Sequence, residues 1–185
     1  MAFTLMPLEN KQGNTRKRKI IKEFLVYTII VLAAVISATL IRVYILEPFI
    51  VPTPSMEPIL EVGDKVIINK LAYKFGNVKR GDIIAFHSPI EKKDLVKRAI
   101  AIEGDEITLT SEGEIFVNGE KIVENYLPAD QNIFYINQTV TVGENELFVM
   151  GDNRNNSFDS RFFGTIPEDD VFGEFVVIYW PPSRW

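Results

Sequence analysis

The chain has 185 residues, 46% of them hydrophobic, and a formal net charge of −5. That suits one domain with a modest insertion plus an anchor. No cysteine and a single histidine, His87, exclude disulfides, thiolate nucleophiles and a His- or Cys-built zinc site, and the acidic balance speaks against a nucleic-acid surface.

The charge is unevenly spread. Lys11, Arg16, Lys17, Arg18, Lys19 and Lys22 crowd the start against Glu9 and Glu23. From Phe24 to Ile41, FLVYTIIVLAAVISATLI, no residue is charged. This is about the shortest helix that spans a bilayer, and Arg42 can snorkel to extend it. The stretch has no polar face of the kind a soluble core helix shows. The apolar run continues through VYILEPFIV with no small-x-small site to end it, which favours an anchor over a cleaved leader. The preceding TRKRK places the N-terminus in the cytoplasm and everything beyond Arg42 outside. No later segment reads as a second span. The expected division is a basic cytoplasmic N-terminus (1–23), a transmembrane signal-anchor (24–42), and an outer part of roughly 140 residues, the size of one small domain.

Beyond the anchor comes PTPSMEP, Pro52–Pro58, with Ser55 held between prolines and Thr53 two residues earlier. A Pro-rich linker and a stiffly presented nucleophile both fit this stretch. Short β-branched or alternating runs follow: Lys65–Leu71, Asp82–His87, Asp94–Ile102, Glu106–Thr110, Glu114–Val117, Lys121–Val123, Thr139–Val142, Glu146–Met150 and Glu174–Trp180. Asn118-Gly119 suits a type I′ hairpin turn, because both residues tolerate positive φ. Gly81-Asp82, Gly104-Asp105 and Gly151-Asp152 mark further turns. There is no βαβ alternation. The predicted fold class is mainly β: an antiparallel β-sheet domain with a small β insertion, preceded by a single transmembrane helix.

Two stretches stand out. DLVKRAIAI carries Lys97 and Arg98 inside an apolar strand. Period two puts Leu95, Lys97 and Ala99 on one face and Val96, Arg98 and Ile100 on the other. At least one cation therefore lies on or beside a buried face. A buried lysine has a lowered pKa and can serve as a general base; the alternative is a strand-edge lysine with a solvated tip. The second stretch is GDNRNNSFDSRFFG, Gly151–Gly164, which is either a hydrated loop or a scaffold of Arg–Asp pairs around a site.

PTPSMEPIL, VKRGDIIAF, DLVKRAIAIEGD and FVMGDNRNNSFDSR, in this order after one N-terminal anchor, resemble the bacterial type I signal peptidases, membrane-bound serine endopeptidases with a Ser–Lys dyad. The resemblance implies that Ser55 is the nucleophile and Lys97 the general base. It implies an oxyanion hole from the Ser55 N–H and the Thr53 hydroxyl, with Ser157 helping to hold the lysine. Asp152, Asp159 and Arg161 would brace the loop, and Arg98 would pair with Asp152. Phe49, Val51, Pro52, Met56, Leu60, Leu95 and Val96 would line pockets for the small residues that precede a cut. The catalytic domain would comprise 47–102 and 147–185, with 103–146 a variable β insertion, a cap without catalytic role. The implied partners are signal peptides of secretory preproteins and the phospholipid membrane, with no cofactor, metal or nucleic acid.

The chain departs from the family pattern at Pro54, where small residues are common, at Asn155, at Glu103 in place of proline and at Ala101 in place of glycine. His87 reads as a strand-end surface residue. Trp180 and Trp185 suit a membrane interface or simple packing on the domain. Two rival readings remain: a catalytically silent membrane-anchored β-domain that binds an extracellular partner, and a self-cleaving Ser–Lys peptidase of the kind fused to DNA-binding domains. The anchor and the lack of a helix-turn-helix pattern oppose the second. For the first, the discriminator is whether Ser55 and Lys97 meet within hydrogen-bond reach.

Overall fold

A computed structural model describes residues 11–90, 92–128 and 133–185. The first ten residues of the expected basic N-terminus lie outside the described residues. The chain divides into two units, 1–42 and 43–185.

The first unit is carried by helix α1, Lys11–Tyr44, which is longer than the predicted 24–42 at both ends. From Lys17 to Tyr44 its mean hydropathy peaks at 2.6, and it is long and apolar enough to cross a membrane. Its apolar side chains are exposed all round. The hydroxyls of Thr28 and Thr39 donate back to Phe24 O (2.9 Å) and Val35 O (2.8 Å), which satisfies them without water.

The second unit is built on strands in antiparallel pairs. In chain order they are β1 (Leu46–Ile50), β2 (Lys65–Asn69), β3 (Ile83–His87), β4 (Asp94–Ile102), β5 (Glu106–Leu109), β6 (Ile115–Val117), β7 (Glu120–Lys121), β8 (Gln138–Thr141), β9 (Glu146–Met150), β10 (Ile166–Pro167) and β11 (Val171–Trp180). The larger sheet has the order β1-β2-β11-β3-β4-β9-β10 and the smaller β7-β6-β5-β8. The runs read from sequence fall on β2 to β9 and β11 with small shifts at their ends. Two strands were not foreseen, β1 and β10. Each contains a proline and lies at the edge of the sheet, where the missing N–H costs no ladder bond. The Asn118-Gly119 turn between β6 and β7 has φ of 53° and 80°, as a type I′ turn requires.

Alternation explains how the sheet covers its core. In β2, Val66 and Ile68 are fully buried while Lys65, Ile67 and Asn69 are only partly so. Val51, Met56, Leu60, Val66, Ile68, Ala85 and Val96 form one apolar cluster; Val78, Ile84, Phe86, Ala99, Leu147, Val149 and Ile166 form another. A third joins the two sheets: Ile107, Leu109, Ile115 and Val117 of the smaller pack with Ile100, Ala101, Phe148 and Met150 of the larger. The smaller sheet lies within residues 103–146 and leaves the larger one between paired residues, Ile102 opposite Leu147. Glu103, a departure from the family pattern, accepts a hydrogen bond from Asn145 N–H at 2.8 Å and so ties these ends together. Strand β11 crosses β2 closely at Gly173, where a Cβ would come within 2.6 Å of Ile68 Cγ2 and 2.7 Å of Asn69 O.

Candidate active site

After β1 the chain enters a short 3₁₀ turn, Pro54–Met56. Pro54 opens this turn, the position where a missing N–H is harmless and a fixed φ helps. Its carbonyl accepts from Glu57 N–H (3.2 Å) and from Asn153 Nδ2 (3.1 Å). Thr53 precedes the turn in extended conformation, φ −136° and ψ 154°. Its Oγ1 lies 3.1 Å from Ser55 Oγ. Ser55 is buried, and its carbonyl accepts from Asn153 N–H at 3.0 Å. Two bonds from one asparagine thus pin the serine turn to the loop after β9.

That loop is tightly packed. A Cβ on Gly151 would run into both Ser55 O and Ser157 Oγ. Gly151 N–H donates to Asp159 (3.0 Å), which also caps the single helical turn α2 (Ser160–Phe163) and takes two side-chain bonds from Arg161, Nε at 2.7 Å and Nη2 at 2.8 Å. Arg161 further reaches Arg154 O at 2.7 Å. Asp152, fully buried, receives a bidentate pair from Arg98, Nε at 2.8 Å and Nη2 at 2.7 Å. The bracing residues expected from sequence therefore do pair with one another.

Lys97 and Arg98 are adjacent in β4 and both buried, at 2% and 8% exposure. Alternation sends them to opposite faces, and both faces are covered. The pairing of β4 explains the lysine's position. Asp94–Lys97 pair only with β3, and pairing with β9 begins at Arg98. Among the described residues, the first half of β4 thus leaves one edge unpaired, as β1 does at the end of the sheet.

A groove of about 730 Å³ is lined by Phe49 and Ile50 of β1, Pro52–Ser55, Asp94, Leu95 and Lys97 of β4, and Asn156 and Phe158 of the loop, with Ser88 and Lys93 alongside. Ser55 and Lys97 share it. Of the expected pocket residues, Phe49, Pro52 and Leu95 line it directly, whereas Val51, Met56, Leu60 and Val96 lie buried in the apolar cluster formed around β2. Burial lowers the Lys97 pKa from 10.5 to about 8; Asp159 opposes this, Arg161 adds to it, and Asp152 opposes it weakly. Among the described residues, Ser55 Oγ bonds to Thr53 and not to Lys97. Ser157 Oγ is buried beside Gly151 without a hydrogen-bond partner, so it does not hold the lysine in this state. His87 is exposed, pairs with Asp94 at 2.7 Å and stacks on Phe172, outside the groove.

Sequence reasoning missed the residue at the centre of the loop, Arg154. It is 2% exposed and donates to Gly151 O (3.0 Å), to both carboxylate oxygens of Glu124 and to the hydroxyls of Tyr135 (2.8 Å) and Tyr126 (3.3 Å). The Arg98 guanidinium lies 3.8 Å over the Tyr126 ring. The partners Glu124, Tyr126 and Tyr135 belong to the insertion. Only the richness of the 151–164 stretch in Asp, Asn and Arg hinted at such a centre.

A serine hydroxyl next to a second hydroxyl, in a largely apolar groove with a buried lysine of lowered pKa, brings together the kinds of group that acyl transfer uses. The family model for signal peptidase, peptidase S26, matches residues 21–180. The chain is 38% identical over 161 residues to signal peptidase I of Bacillus caldolyticus, covering 80% of this chain and 87% of that protein. It is 37% identical to the probable signal peptidase I-2 of Synechocystis (82% and 71% covered) and 35% identical to signal peptidase I of Leptolyngbya laminosa (82% and 77%). A solved signal peptidase I from Enterococcus faecalis superposes with a TM-score of 0.48 at 30% identity, covering 55% of this chain and 98% of that one. The protein is a hydrolase of the protease class. The chain belongs to the signal peptidase family, peptidase S26.

Proposed function

We propose that this protein is a signal peptidase I that cuts the signal peptides of secretory preproteins, with Ser55 as nucleophile and Lys97 as general base. The observation that carries the reading is the groove itself: Ser55 and the buried Lys97 open into it between two strand edges, β1 and the first half of β4, that lack a partner. An extended peptide laid there gains main-chain bonds by strand addition. Phe49, with Val51, Met56 and Val96 packed behind it, and Leu95, packed on the cluster of Ile84, Phe86 and Ala99, set an apolar wall that suits small side chains before the cut.

The chemistry follows from the proton inventory. Neutral Lys97 takes the Ser55 Oγ proton as Oγ bonds to the scissile carbonyl carbon. The oxyanion is met by the Ser55 N–H and the Thr53 hydroxyl. Collapse breaks the C–N bond, and the ammonium of Lys97 returns its proton to the leaving amine. Water then gives a proton to Lys97 and bonds to the acyl carbon; the C–Oγ bond breaks, Ser55 Oγ takes the proton back from Lys97, and the acid product leaves. An apolar peptide in the groove desolvates Lys97 further and favours its neutral form. Ser157 Oγ, buried and unpartnered in the free protein, is a ready acceptor or donor for the lysine once it moves toward Ser55. Hydrogen bonds of catalytic groups are often long in free enzymes and tighten when substrate binds.

In this reading the basic residues 1–23 lie in the cytoplasm, α1 anchors the protein through a span at 24–42, and the catalytic parts 47–102 and 147–185 are at the outer face. Residues 103–146 are the insertion. The exposed Trp180, at the end of a strand that also exposes Val176 and Val177, and the exposed Trp185 beyond it suit a membrane–water interface. The test is cleavage of a preprotein by the purified chain in detergent, beside Ser55→Ala and Lys97→Ala. The expected result is a cut after a small-x-small site by the parent and none by either folded variant.

The Ser55–Thr53 bond is what favours the rival, a silent β-domain that binds an extended partner in the same groove. A parent inert on several preproteins, yet retaining one of them on a pull-down, would establish that alternative.

A further inference from the structure

We infer that the insertion is a working part of the site: Glu124, acting through Arg154, positions the loop that carries Gly151–Arg161 against Ser55 and Lys97. This rests on the proposed catalytic reading and deepens it. The argument begins with burial. The Arg154 side chain is wholly buried and Glu124 is only 12% exposed, so each leaves the other an uncompensated charge if removed. Glu124 meets the guanidinium with both oxygens. Arg154 also closes on Gly151 O, three residues back in its own loop.

From Arg154 the links run toward Ser55 and Lys97. Its neighbour Asn153 holds the Ser55 and Pro54 carbonyls at 3.0 and 3.1 Å. Its own carbonyl accepts from Arg161, which grips Asp159, and both of these face Lys97 electrostatically. Tyr126 donates to Glu124 and lies under Arg98, the partner of Asp152. The charged and titratable groups around Arg154 are therefore Glu124, Tyr126 and Tyr135 from the insertion, Arg98 from β4 and Arg161 from α2. A one-residue loss in the insertion reaches both sides of the groove. Misplacement of a catalytic group by about 1 Å lowers rate by up to about a hundredfold.

The experiment is Glu124→Gln in the full chain in detergent, with Glu124→Asp and Tyr126→Phe as gentler variants. Two readouts are taken: amide hydrogen exchange, and kcat, KM and the pH dependence of kcat on a preprotein. The expected result for Glu124→Gln is faster exchange at Gly151 and Asn153 with the strands of the larger sheet unchanged. A fall in kcat of about tenfold or more should accompany it. KM should stay within twofold, and the acid limb of kcat should move to higher pH as water reaches Lys97. Glu124→Asp, which keeps the charge, should recover part of the loss. Parent-like exchange at Gly151 and Asn153 overturns the inference. So does a kcat that falls only with the folded fraction while the acid limb stays in place. If the parent cuts no preprotein, the catalytic reading fails, and hydrogen exchange alone decides whether Glu124 holds the loop.

Discussion

Replacing Lys97 by methionine tests the heart of the site without asking for catalysis. Burial lowers this lysine from 10.5 to about 8. At about 1.4 kcal/mol per pH unit, the charged form is disfavoured in the folded protein by about 3 kcal/mol. The sign follows from proton counting. Below pH 8 both folded and unfolded lysines are charged, and the folded protein bears the whole cost. Between 8 and 10.5 the folded protein releases the proton first, so the cost shrinks; above 10.5 it is gone. Methionine has a similar length and no charge to bury. At pH 6 Lys97→Met should therefore be more stable than the parent by about 1–3 kcal/mol, or several degrees in Tm for a protein of this size. The gain should fade above pH 8. Denaturant unfolding in detergent at pH 6, 8 and 10, followed by Trp180 and Trp185 fluorescence, measures it. Other titrating groups cancel in the comparison. A variant less stable than the parent at pH 6, or a difference that does not change with pH, would refute the picture of a desolvated lysine.

Three further outcomes are expected. With Lys97 as base, kcat/KM should rise about tenfold between pH 7 and pH 9, with a midpoint near the lysine value of about 8; a profile flat across this range would assign the base elsewhere. Gly151→Ala puts a Cβ against Ser55 O and Ser157 Oγ, so it should lower stability by about 1–3 kcal/mol and depress kcat by more than the loss of folded protein, as thermal melts and single-turnover rates would show. Asp152→Ala strands the Arg98 guanidinium and should cost about 3–5 kcal/mol in denaturant titrations, whereas a loss below about 1 kcal/mol would mean that Tyr126 and Gly81 O satisfy Arg98 unaided.

Much of this architecture was legible in the chain because local pattern and environment agree. DLVKRAIAI and ELFVM are rich in apolar and β-branched residues, and each became a strand with the bounds read from sequence. Asn118-Gly119 carries its turn geometry in its own residue types. β1 escaped because LEPFI runs on from the anchor and holds Pro48, which only an edge strand accommodates. Alternation left open which of Lys97 and Arg98 is buried; both are, because the groove and its surroundings cover one face and the Asp152 loop the other. The tie between Glu124 and Arg154 had no signal at all. Its partners lie 30 residues apart, and Glu124 sits in a stretch without periodicity whose place is set only by the tertiary fold.

The Ile102–Leu147 pairing places the way out and the way back of the insertion side by side on neighbouring strands. That pairing fixes where the excursion starts and returns, and not its length. What restrains it in this chain is chemical: a shared apolar core with Phe148 and Met150, the Arg80–Asp105 pair at its start, and the contacts of Glu124, Tyr126 and Tyr135 with Arg154. If Glu124 positions the loop, its loss is felt at Ser55 and Lys97, across the boundary between the insertion and the larger sheet.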